Sequence, residues 1–173
     1  MTFVLARGER WRSRGVNPNR GISPGKSSDG MRKIKYCRGF TYHYDLGRVR
    51  VSKPIPKVLG KAAKKWLEHL GLGQVDLLLI AQEHDPLSSG SGCLLFKGEE
   101  MLPPSDRKRI NARDFDCICI VLENDAEGTL FKRRDRVERM VLRELVYLAY
   151  PETKGDPEGS ARLVEDILVR TGR

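Results

Sequence analysis

Between Lys57 and Leu70 apolar residues recur at spacings of three and four: Val58, Leu59, Ala62, Ala63, Trp66, Leu67 and Leu70. Lys57, Lys61, Lys64, Lys65 and Glu68 fill the positions between them. That period predicts an amphipathic helix, with Gly71 and Gly73 as its stop. Upstream, Tyr36, Phe40, Tyr42, Tyr44, Val49 and Val51 alternate with polar residues, which predicts one or two strands turning near Asp45-Leu46-Gly47. Pro54 and Pro56 end them. Val75–Ala81 is a nearly unbroken apolar run, the pattern of a strand covered on both faces. Cys93–Phe96 and Phe115–Leu122 predict two more strands, with loops between. A long helix is expected over 130–150, stopped by Pro151. A linker over 152–159 and a last helix through Arg170, capped by Ser160, complete the chain. Strands, helix, three strands, long helix and short helix make an α+β fold: a small mixed sheet with helices packed on it, in one domain over 34–173.

The long helix contains one anomaly. On a wheel advancing about 100° per residue, Met140, Val141, Leu145 and Leu148 lie within roughly 80° of Val137, and Glu144 lies about 20° from it. A carboxylate inside an apolar stripe is costly unless something pairs with it. It is either one half of a buried ion pair or a catalytic or metal-associated acid.

Charge changes the picture at the N-terminus. The chain has 173 residues and a net charge of +9. Residues 1–38 hold ten basic side chains (Arg7, Arg10, Arg12, Arg14, Arg20, Lys26, Arg32, Lys33, Lys35, Arg38) against Glu9 and Asp29, a net +8, which leaves +1 for everything else. Residues 8–30 are rich in Gly, Pro and Ser and have no apolar period, so burial cannot offset their backbone entropy. Residues 1–33 are therefore expected to form a basic, flexible arm. Arginine forks match phosphate, and Trp11 would stack on a base. Arg107-Lys108-Arg109 and Lys132-Arg133-Arg134 add two basic clusters. Met31 is a second possible start, and starting there would remove six of the ten basic residues.

The segment Val141-Leu142-Arg143-Glu144-Leu145-Val146-Tyr147 resembles the active-site helix of zincin metallopeptidases, whose H-E-x-x-H places two zinc-binding histidines on one helix face beside a water-activating Glu. Residues 56–173 also resemble, in element order, the small phage and archaeal metallopeptidases of SprT-like type, with Asp114-Phe115-Asp116 leading the strand before that helix. The resemblance implies a zincin-like fold with Glu144 at the position of the acid. It places Arg143 and Tyr147 where zinc-binding histidines belong, so it implies a lost zinc centre. Asp156, Glu158 or Glu165 would supply a third ligand but not the missing two.

Other chemistry is sparse. Cys117 and Cys119 share one strand face, and a C-x-C inside an apolar strand suits a zinc knuckle poorly. With Cys37 and Cys93 they read as small buried hydrophobes. His43, His69 and His84 are isolated, although His84 follows a strand. No phosphate loop, dinucleotide fingerprint or nucleophile elbow occurs, and no cofactor is implied. No apolar run is long enough for a transmembrane helix. Four Asn and two Gln, against 20 Arg and 12 Lys, fit a heat-adapted source.

The basic arm, the further basic clusters and the absent chemistry lead to the expectation of a non-catalytic, cytoplasmic RNA-binding protein of a ribonucleoprotein, with ribosomal RNA and ribosomal proteins as partners. The alternatives are a metal-dependent hydrolase with atypical ligands and Glu144 as base, or a protein-binding module on an inactive peptidase fold.

Overall fold

The computed structural model describes residues 42–87, 90–97, 100–102 and 111–172. Six strands form one mixed sheet: β1 (Tyr42–Asp45), β2 (Val49–Ser52), β3 (Asp76–Gln82), β4 (Gly92–Lys97), β5 (Glu100–Leu102) and β6 (Cys117–Glu123), in the order β1-β2-β3-β6-β4-β5. The central trio β2, β3 and β6 is parallel, while β1, β4 and β5 pair antiparallel at the flanks. The helices are α1 (Lys57–His69), α2 (Arg134–Ala149) and α3 (Pro157–Arg170). The class is α+β.

β2, α1 and β3 form a crossover unit. It returns the chain to a parallel strand beside the first because an intervening helix covers the sheet. α1 ends as its glycine predicts. Gly71 adopts φ +69, Leu72 N donates to Leu67 O at 2.7 Å and Gly71 N donates to Glu68 O at 3.2 Å. These bonds satisfy carbonyls that the helix leaves open. Gly60 allows α1 to approach β2, for a Cβ there would lie 2.5 Å from Val51 Cγ2.

The main core lies between the helices and one sheet face. Val49, Val51, Leu77, Leu79, Leu95, Ile118, Ile120 and Leu122 meet Leu59, Ala63, Trp66, Val141, Leu142, Leu145 and Ile167 there. Leu78, Ile80, Phe96, Cys117 and Cys119 form a second buried cluster on the opposite face. Period-2 alternation in β3 and β6 thus produces two apolar faces, as the unbroken runs predict. Cys93, Cys117 and Cys119 are buried and form no disulfide among the described residues, with Cys117 and Cys119 on one face and Cys93 on the other. Cys37 lies outside the described residues.

Four expectations need correction. β5 makes four strands, not three, between α1 and α2; three residues are too few to show a period. α2 begins at Arg134 rather than near residue 130. Asn124 Oδ1 and Asp125 Oδ1 accept from Leu130 N and Thr129 N, which holds Leu130–Lys132 as a separate 3-10 turn. Asp156, not Ser160, caps α3: its Oδ1 accepts from Gly159 N at 2.8 Å, and Pro157 opens the helix. Ser160 is buried and donates to Pro157 O. Lastly, the buried arc of α2 is rotated. Val137, Glu138, Val141, Leu142, Leu145, Val146 and Leu148 are buried, an arc of roughly 180° centred near Leu145. Glu144 lies at its edge and is half-buried. α2 packs on α1 as well as on α3, so its apolar arc is wider than a single sheet contact would make it. The buried acid of this helix is Glu138.

Candidate nucleic-acid interface

The sheet supplies a rigid base, and the polar faces of α1 and α2 point away from it. Lys57, Lys61, Lys64 and Lys65 are exposed on α1. Lys57 Nζ stands 5.7 Å from the centroid of the Tyr44 ring, a cation–π contact that places it over the β1 end of the sheet. On α2, Arg136, Arg139 and Arg143 are all exposed and follow at i, i+3 and i+7. That spacing aligns them in one stripe, with Cβ atoms of successive members roughly 5–6 Å apart.

Two open clefts flank α2. One, of about 630 Å³, is lined by Lys61, Lys65, Arg134, Asp135 and Glu138, with Val58 and the end of α3. Its floor is the Glu138 carboxylate, 6% exposed, which accepts from Arg134 Nε at 2.8 Å. The other, of about 660 Å³, runs between α2 and α3 and is lined by Arg136, Arg139, Met140, Arg143, Tyr147 and Val164 among others. Arg139 is bridged across it to Glu165. Arg136 and Arg143 pair with no carboxylate among the described residues.

The basic residues of the sequence are therefore distributed unevenly. Lys132 is exposed, Arg133 is exposed and 3.9 Å from Glu127, and Arg134 is committed to Glu138. Arg7, Arg10, Trp11, Arg12, Arg14, Arg20, Lys26, Arg32, Lys33, Lys35, Arg38, Arg107, Lys108 and Arg109 lie outside the described residues. Arg136 and Arg139 are inconspicuous in the sequence because each is flanked by an acid or apolar residue and neither belongs to a basic run. Their helical spacing is the signal that finds them.

A second polar cluster lies where β3 and β6 end side by side. Gln82 is paired with Glu123 in register. Glu123 is nearly buried, and its Oε1 accepts from His84 Nδ1 and from Asp85 N, each at 3.1 Å. Its own N–H donates to Ser91 Oγ at 2.9 Å. The loop after β3 is thus tied to the end of β6, and His84 is one of the ties. Beyond β6, Asp125 accepts from Thr129 N at 2.5 Å and Thr129 Oγ1 at 2.9 Å. The Thr129 backbone N–H, foremost, holds the Asp125 carboxyl below its ordinary range. Asp76, at the other end of β3, is shifted the opposite way. Burial raises it, and the nearby guanidinium groups of Arg50 and Arg48 only partly offset this.

Among the described residues, no group of three or more His, Cys, Asp or Glu is arranged to hold a metal ion, and no helix is long and apolar enough to cross a membrane. Comparison with protein-family models, with curated proteins and with solved structures finds no match.

Proposed function

We propose that this protein binds RNA as a non-catalytic component of a ribonucleoprotein, the ribosome foremost, with its N-terminal arm contacting phosphates and its α+β body docking beside them. The observation that carries this is the net +8 held by residues 1–38, against +1 for the other 135. Such asymmetry steers a chain toward a polyanion. The lysines of α1 and the arginine stripe of α2 extend the same chemistry onto the body.

The body is a peptidase-like scaffold in this reading. The order α1, strands, α2, short 3-10 turn (Pro151–Gly155) and α3 is the order that the zincin resemblance implies. Arg143 and Tyr147 stand at the zinc-binding positions, and a permanently protonated guanidinium cannot ligate zinc. Glu144, the matched acid, is then a structural and surface-shaping residue.

The test is the salt dependence of single-stranded RNA binding by the full chain and by a chain beginning at Met31. For every phosphate that the protein no longer neutralises, the log–log slope falls by about 0.7. Removing Arg7, Arg10, Arg12, Arg14, Arg20 and Lys26 should lower the slope by several such steps. An unchanged slope would overturn the reading.

A further inference from the structure

We infer that the groove between α2 and α3 is a binding site for a short segment of single-stranded RNA, with Arg136 and Arg143 on separate phosphates and one base stacked on Tyr147. This rests on the RNA-binding reading and names the contact surface of the folded body, which the arm alone does not supply.

Four observations support it. The stripe Arg136, Arg139, Arg143 and Tyr147 occupies one side of α2, and all four line the same groove. Arg136 and Arg143 are exposed and carry no ion pair among the described residues, so their charge is uncompensated on that wall. A ligand would not have to displace a protein carboxylate from either of them. Arg139 is bridged to Glu165 on the opposite wall, which holds its guanidinium across the groove and makes it a strut. The floor is apolar: Met140 and Val164 lie beneath the arginines, and Tyr147 is half-buried at one end. A charged rim over an apolar, aromatic floor suits a nucleotide, whose phosphate and base make opposite demands.

Charge complementarity alone would also admit an acidic peptide. The ring decides between them. An aromatic face placed beside arginines adds little to binding of aliphatic carboxylates, whereas stacking of an unpaired base on it contributes much of the affinity at single-strand sites. A duplex is disfavoured because its bases are already stacked. The cleft of about 660 Å³ accommodates one base with its ribose.

The test uses the full chain and a hexauridine oligonucleotide, with binding followed by anisotropy and 5-iodouridine crosslinks mapped by mass spectrometry. Arg143→Ala and Arg136→Ala should each weaken binding several-fold and lower the salt slope by about 0.7. Tyr147→Ala should weaken it roughly tenfold or more. Tyr147→Phe should restore it, which separates stacking from loss of fold. The crosslink should fall on Tyr147 or its neighbours in the groove. If the oligonucleotide binds, the arm deletion weakens it and the groove variants do not, the groove assignment fails while the RNA reading stands. If the unaltered chain binds no RNA, the RNA reading itself fails. A glutamate-rich peptide that binds as tightly and is weakened as much by Tyr147→Ala would overturn the assignment in favour of a protein ligand.

Discussion

Arg134 Nε donates to Glu138 Oε1 at 2.8 Å, one helical turn apart, and the carboxylate that receives it is 6% exposed while the arginine is 47% exposed. The pair spans the boundary between core and cleft. Removing the arginine takes one charged partner from a buried acid, whereas replacing the acid by an apolar residue of similar size removes the buried charge itself. Arg134→Ala should therefore cost about 1–3 kcal/mol of stability. Glu138→Met should cost less, and the double variant should not be additive. Urea unfolding of the three variants checks this.

The same pair shows where sequence reasoning stops. Helical period alone places Glu144 inside the apolar stripe of α2, because Val137, Met140 and Val141 dominate the wheel. The true arc is set by contacts with α1 and α3 that no local pattern contains, and it buries Leu142 and Val146 as well. Strands β3 and β6, by contrast, are legible because both faces are apolar and the runs are unbroken. The 3-10 turn before α2 is marked in the sequence only by a polar Asn124-Asp125 pair, whose side chains capture the next backbone N–H groups. In the candidate interface, runs such as Lys132-Arg133-Arg134 draw the eye, yet Arg134 is committed inward. Arg136, Arg139 and Arg143, scattered in sequence, are gathered by the helix.

Gly60 is the contact point of α1 on β2. A Cβ there would stand 2.5 Å from Val51 Cγ2 and 2.8 Å from Leu46 Cδ1. Alanine is the better helix former by about 1 kcal/mol, but the overpacking works against it. Gly60→Ala should destabilise the fold by about 1–3 kcal/mol, measured by thermal or chemical unfolding. A stabilised variant would show that α1 can move off the sheet freely.

Acid titration should separate two aspartates. Asp125 is held below the ordinary value of 3.8, so its contribution is present above that pH and is lost as pH falls through its folded value. Asp125→Asn should flatten the acid limb of the stability profile. Asp76 is raised above 3.8. The folded state keeps that proton longer than the unfolded chain does, so stability falls as pH rises from 3.8 through the folded value. Asp76→Asn should remove that fall. Unfolding free energy measured across the acid range distinguishes the two signs.

Glu123 Oε1 anchors His84 Nδ1 and Asp85 N, each at 3.1 Å, to the end of β6. Glu123→Ala leaves both donors without that acceptor and should cost about 1.5–3 kcal/mol, the range for bonds to a charged group. Glu123→Gln keeps an oxygen acceptor and should cost less. Hydrogen exchange at the Asp85 amide should accelerate in the alanine variant before the core amides of β3 and β6 do.

Whether this chain works on RNA is tested most directly by isolating it in full from the cells that make it, at moderate salt, and sequencing the nucleic acid that accompanies it. The expected result is RNA, ribosomal RNA above all, released by nuclease or by high salt. A preparation free of RNA that carries a stoichiometric metal or a tightly held, salt-resistant protein partner would contradict it.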